Sequence, residues 1–165
     1  MRHGCHAACG AALLALLTAG GARAQPVVSF AVSTGQYGMR KEVPHSLGIE
    51  FELRAPWQWN LLRPVAGVLT STHGGAYLYS GFVIEIPLPA RLMLKPGFAP
   101  GVVLDPADRD LGSPLEFRSS IELSYSPDNA LRIGLGFSHI SNARLSDRNP
   151  GVEVLTLGFA FPLGD

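Results

Sequence analysis

Of 165 residues, 47% are hydrophobic and only 16% charged, and the 13 basic side chains balanced by 13 acidic ones argue against a nucleic-acid partner. The low charge suits a membrane, yet beyond residue 24 no apolar run approaches the length of a spanning helix, so helical membrane proteins are excluded. The chain opens as a signal peptide: Met1-Arg2-His3 is the basic start, Ala7 to Ala19 the apolar run, and Ala22-Arg23-Ala24 a small-residue cleavage site before Gln25. Residues 1–24 are therefore expected to be removed, leaving 25–165 as a single exported domain. Cys5 and Cys9 leave with that segment, so disulfides, thiolate metal sites and cysteine nucleophiles go with them.

From residue 27 onward, glycine and proline punctuate the chain about every ten residues, which leaves room for short strands and little for helices. In chain order, period-two patterns occupy Val27 to Thr34, Ser46 to Arg54, Leu61 to Thr70, Ala76 to Leu88, Arg91 to Phe98, Leu115 to Ser124, Leu131 to Ser141 and Val152 to Phe161. The alternation is clearest in the second, where Leu47, Ile49, Phe51 and Leu53 alternate with Glu50, Glu52 and Arg54. The sixth repeats it, with Leu115, Phe117, Ile121 and Leu123 against Glu116, Arg118, Glu122 and Ser124. Eight strands of about ten residues match tilted bilayer-spanning strands, and an even count closes a barrel with both ends on one side. The predicted class is all-β, an eight-stranded antiparallel transmembrane β-barrel.

The connections support that class. Residues 55–60, 87–90 and 126–129 make short turns at one end, while 35–44, 100–114 and 142–151 make longer loops at the other, the asymmetry of bacterial outer-membrane barrels. Trp57 and Trp59 in the first turn read as an interfacial aromatic anchor. The charged faces carry Glu50, Glu52, Glu85, Glu116 and Glu122 with Arg54, Arg91, Lys95, Arg118 and Arg132, a balanced set that predicts a salt-bridged interior plug instead of a conducting pore. A soluble barrel of lipocalin type uses the same alternation reversed, with apolar groups inside, so side-chain direction decides between them.

Chemistry concentrates near the C-terminal end. Leu131, Ile133, Leu135 and Phe137 set an odd-numbered apolar parity that His139 and Ser141 continue, and Leu155, Leu157, Phe159 and Phe161 do the same with Glu153 at their start. Three polar groups are thus predicted on the lipid face, where burial of such groups is costly. Positions i and i+2 share a face about 7 Å apart, so His139 can act as base for a Ser141 nucleophile. Antiparallel pairing around the 142–151 loop brings Glu153 opposite His139, where a carboxylate orients the imidazole. Asn142, through its side-chain amide or a nearby backbone N–H, is a candidate oxyanion donor, and Asn149 in Asn149-Pro150-Gly151 supports the turn into the last strand. His45 and His73 lack partners at ligand spacing, Asp105, Asp108 and Asp110 lack the calcium-loop pattern, and no residue cluster requires a metal or cofactor.

His139-x-Ser141-Asn142, a loop, and Asn149-Pro150-Gly151-x-Glu153 together resemble the signature of PagL-type lipid A 3-O-deacylases. The resemblance implies an eight-stranded outer-membrane barrel with its Ser, His and Glu on the outer wall, hydrolysing the ester-linked 3-hydroxyacyl chain at position 3 of lipid A. It assigns Ser141 as nucleophile, His139 as base, Glu153 as orienting acid and Asn142 as oxyanion contributor. Lipopolysaccharide of the outer leaflet is then the substrate and the bacterial outer membrane the location. Homodimerisation is left open. The alternative is a non-catalytic outer-membrane barrel serving adhesion or membrane integrity, which leaves the three lipid-facing polar groups without a purpose.

Overall fold

A computed structural model describes residues 28–38, 46–72, 74–105, 110–128 and 130–163. The signal peptide, His45, His73 and Asp108 lie outside the described residues. Strands run β1 Val28–Tyr37, β2 Ser46–Arg54, β3 Leu62–Ser71, β4 Ala76–Ile84, β5 Ile86–Leu88, β6 Leu92–Asp105, β7 Leu115–Tyr125, β8 Arg132–Ser141 and β9 Val152–Leu163. Every pairing is antiparallel. Strand β1 joins β9 as well as β2, and β4 joins β6, with β5 continuing β4 along the same neighbour, so eight spans close into a barrel.

Side-chain direction separates the two kinds of barrel. On β2 the outward Leu47 is 62% exposed while the inward Glu50 is 5% exposed, and the alternation holds from Ser46 to Arg54. Ile121, Leu123, Leu135, Leu157 and Phe159 extend an apolar belt around the outside. Charges fill the inside, the reverse of a soluble barrel and the arrangement that hydrocarbon surroundings demand.

The interior is a set of linked ion pairs. Arg54 lies 2.7 Å from Glu52 and 2.6 Å from Glu122, which also takes Lys95 at 2.6 Å. Arg118 reaches Glu50 at 2.8 Å and caps the ring of Tyr79, whose hydroxyl donates to Glu50 and Glu52. Glu85 sits between Arg63 at 3.2 Å and Arg132 at 3.6 Å. Glu116 is inward and fully buried. Small residues opposite make room for these long side chains: a Cβ on Gly134 would lie 3.0 Å from a carboxylate oxygen of Glu122.

One member of the expected plug leaves it, and another, the buried Glu116, has no partner for either carboxylate oxygen among the described residues. Arg91 stands exposed in the turn after β5, at φ 62, and donates to the Pro127 carbonyl, because the chain reverses one residue before the strand begins. Arg63, in the weakly alternating start of β3, takes the inward place beside Glu85.

Strand β1 runs three residues past the expected Thr34, to Tyr37, which shortens the 35–44 loop, and further corrections concern β4 and β6. The expected Ala76 to Leu88 strand is interrupted at Glu85, and β6 continues through Pro96 and Pro100 to Asp105, so the following loop is shorter than 100–114. The same prolines explain both. In the β4–β6 ladder Tyr79 pairs with Gly101 and Phe82 with Phe98, skipping Pro100, while Val83 pairs with Gly97 and Ile86 with Leu94, skipping Pro96. A proline has no N–H to give, so the ladder opens at each. On its other edge β6 stays in register with β7, Pro96 opposite Ile121 and Pro100 opposite Phe117.

At the turn end, Trp57 and Trp59 are exposed, as an aromatic anchor at a membrane–water boundary requires. Asp128 closes the β7–β8 turn by accepting the N–H groups of Leu131 and Ala130, each at 2.8 Å, and these bonds hold its carboxyl below the usual carboxylate range.

Candidate active site

Strand register builds the site. Along β8, Leu135 and Phe137 point outward and Ser138 and Ile140 inward, so His139 takes an outward place. Along β9, Val152 and Val154 are buried inside while Leu155 is exposed outside, which leaves Glu153 outward as well. His139 and Glu153 are direct partners in the β8–β9 ladder, and Nδ1 of the imidazole lies 3.3 Å from Oε1 of the carboxylate. The histidine side chain is 39% exposed and the glutamate 13%, so the carboxylate lies beneath a ring that remains accessible.

Ser141, the last residue of β8, occupies the next outward position toward the loop end and faces Phe117 on β7. Among the described residues its hydroxyl makes no hydrogen bond to the imidazole. Such contacts are often long in an unliganded site and tighten when substrate arrives. The polar row continues onto β7, where the exposed Ser119 stands directly across from His139. Its signal was the outward parity of β7, which the charged residues of the same strand overshadow. The adjacent row, Ile121, Phe137 and Leu155, is wholly apolar.

Gly151 shapes the space around the ring. Its φ of 62° is a conformation that favours glycine, and a Cβ there would approach His139 Cε1 to 2.9 Å and Nε2 to 3.4 Å. A side chain at 151 would push the Cε1–Nε2 edge of the imidazole, so the residue before β9 sets the room for the ring, a packing role that spacing alone did not reveal.

Asn142 turns inward, away from the outer wall that carries His139 and Glu153. It is 0% exposed, and its Nδ2 donates to the Leu111 carbonyl at 3.0 Å, to Ser146 Oγ at 3.1 Å and to the Arg148 carbonyl at 2.8 Å. Its Oδ1 accepts the Arg144 N–H at 2.9 Å. The amide expected to serve the oxyanion is thus committed to the loop. Asn149 supports the same turn by accepting the Asn142 backbone N–H at 3.1 Å through Oδ1. Asp110 belongs to this structure too: it accepts the Gly112 N–H and pairs with Arg148 at 2.9 Å. Leu111 caps the core formed by Tyr77, Tyr79, Ile140, Val152 and Val154, so the loop that follows Ser141 is fastened to the mouth of the barrel.

A family model described as Lipid A 3-O-deacylase (PagL) matches residues 36–162, from the end of β1 into β9. The chain belongs to this family. Lipid A deacylase PagL of Bordetella bronchiseptica is 36% identical over 80 residues, 48% of this chain and 40% of that relative, so the match spans two fifths of the curated protein's length. The PagL fold is also evident in three dimensions. The crystal structure of the outer membrane enzyme PagL superposes with a TM-score of 0.66 at 21% identity, covering 82% of this chain and 99% of that one. Neisserial surface protein A superposes with a TM-score of 0.63 at 8% identity, covering 84% and 98%. The barrel alone therefore does not distinguish a PagL protein from other surface barrels; residues 36–162 do.

Proposed function

We propose that this chain is an outer-membrane lipid A 3-O-deacylase, a serine esterase whose triad is Ser141, His139 and Glu153. The observation that carries the reading is the 3.3 Å approach of His139 Nδ1 to Glu153 Oε1 on the outward wall, one outward position from Ser141. A buried structural ion pair has reason to sit inside this barrel, among the other charges. An ionisable pair on the hydrocarbon side costs stability, and a part in lipid-ester chemistry is a reason to retain it there.

Export through the signal peptide of residues 1–24 delivers the barrel to the outer membrane, with the short turns periplasmic and the 142–151 loop outside. The triad then lies at the outer leaflet, whose lipid is lipopolysaccharide, and the scissile ester reaches it without entering the barrel.

Ser141 Oγ attacks the carbonyl carbon of the 3-O-acyl ester as its proton passes to His139 Nε2, and Glu153 holds the opposite nitrogen and stabilises the imidazolium. Because the Asn142 amide is occupied, the oxyanion falls to backbone N–H groups of the loop and to the Nδ2 of Asn149. Collapse breaks the bond to the sugar oxygen, which takes the proton from His139. Water activated by the same imidazole then releases the 3-hydroxy fatty acid from Ser141. Every residue used comes from one chain, so the chemistry requires no second copy.

The test is incubation of the detergent-folded protein with lipid A and, separately, with phospholipid, followed by mass spectrometry. Loss of one 3-hydroxyacyl group from lipid A with phospholipid intact is the expected result. Cleavage of phospholipid alone would replace this reading with a phospholipase, and cleavage of neither would leave a non-catalytic barrel.

A further inference from the structure

We propose that Arg144 forms a phosphate subsite that holds the substrate by the phosphomonoester on the sugar bearing the scissile acyl chain. The proposal rests on the deacylase reading above.

The first observation is an inventory of positive charge. Arg54, Arg63, Lys95, Arg118, Arg132 and Arg148 each pair with a carboxylate, and Arg91 donates to a carbonyl. Among the described residues Arg144 alone has a cationic side chain with no acceptor, and it is exposed. Asp147, on the same loop and also exposed, does not pair with it.

The second observation is where that charge is anchored. Ala143 and Arg144 adopt φ of 53° and 65°, a left-handed pair of the kind that glycine fills most readily. The turn is fixed all the same, because the Arg144 N–H donates to Asn142 Oδ1 at 2.9 Å and the Leu145 N–H to the Asn142 carbonyl at 3.0 Å. Asn142 is itself buried and follows Ser141 directly. The Arg144 backbone is therefore registered to the nucleophile through two hydrogen bonds and a buried amide, while its side chain stays free. Leu145 beside it is 60% exposed, an apolar group on the same turn, which suits a segment at the boundary between acyl chains and head groups.

Chemistry names the ligand class. Lipid A is a phosphorylated glucosamine disaccharide, and the glucosamine acylated at the reacting 3-position carries the 1-phosphate. A guanidinium offers that group two parallel N–H donors and a charge that no deprotonation removes. Arg144 would thus help to hold the sugar against the outer wall while Ser141 attacks, and its contribution falls on binding.

The experiment compares wild type, Arg144→Ala and Arg144→Lys on diphosphorylated lipid A and on lipid A lacking the 1-phosphate, with each variant shown to be folded by heat-modifiable migration. Wild type is expected to lose about tenfold in kcat/KM, mainly through KM, when the 1-phosphate is absent. Arg144→Ala should lose about the same on the diphosphorylated lipid and be indifferent to removal of the phosphate, and Arg144→Lys should recover part of the loss. Equal phosphate dependence in wild type and Arg144→Ala, or none in wild type, would overturn the subsite while leaving the deacylase reading intact. No acid release by wild type from either lipid would remove the deacylase reading, and the subsite with it.

Discussion

The barrel wall carries ionisable side chains on both of its faces, and the two faces treat them differently. Inside, Glu122 lies 2.6 Å from both Arg54 and Lys95, and Arg118 reaches Glu50 at 2.8 Å. Outside, His139 and Glu153 meet at 3.3 Å, the histidine stays 39% exposed, and among the described residues the Ser141 hydroxyl makes no hydrogen bond to the imidazole. The inner charges, the buried Glu116 apart, neutralise one another and fill space, whereas the outer histidine keeps an accessible ring. Ionisable groups on a surface that penalises them are the observation from which the proposed site is read.

That contrast yields outcomes that differ in kind between the faces. The largest is on the outer wall: Ser141→Ala and His139→Ala should each lower lipid A deacylation by about 10⁵-fold, and the double variant no further, because both groups act in one transition state. Release of 3-hydroxy fatty acid by folded protein measures it, and additive losses would break the triad. Glu153→Ala should be about a hundredfold less severe, since loss of the orienting acid leaves nucleophile and base in place. Equal severity in the same assay would mean that Glu153 has a further part in holding the site together. Gly151→Ala follows, with kcat lowered by about a hundredfold at nearly constant KM as the new methyl displaces the imidazole. An unchanged kcat would show that the ring has room to move.

Loop and interior variants lie further down the scale. Asn142→Ala should reduce turnover about tenfold by loosening the loop, with the loss shrinking on cooling, whereas a temperature-independent loss of a hundredfold or more would restore its amide to the oxyanion. Glu122→Gln, inside, should leave turnover per folded molecule unchanged but destabilise the barrel by about 3 kcal/mol, because Arg54 and Lys95 lose their shared counter-charge. Denaturant titration in detergent measures the second effect. A fall in activity without a fall in stability would erase the distinction between the faces.

How much of this was legible before folding follows from what each feature depends on. The closed barrel and the outward set His139, Ser141 and Glu153 depend on strict period two, and β2, β7, β8 and β9 keep it without a break. Partnering across β8 and β9 followed from the loop between them. The interruption at Glu85 and the reach of β6 to Asp105 depend on which edge of the strand Pro96 and Pro100 turn toward β4, and that is a property of register. The inward amide of Asn142 depends on the Leu111 and Arg148 carbonyls, one of them 31 residues away. Gly151 read as a turn residue, and only the packed imidazole shows what a side chain there would strike.

Whether the outer wall carries the nucleophile is tested most directly by treating the detergent-folded protein with a long-chain alkyl phosphonate that labels activated serines, then mapping the adduct by peptide mass spectrometry. One adduct, on Ser141, is predicted, absent in His139→Ala and blocked by prior incubation with lipid A. A protein that deacylates lipid A while carrying its adduct on another serine, or on Ser141 with undiminished rate in His139→Ala, would contradict the assignment.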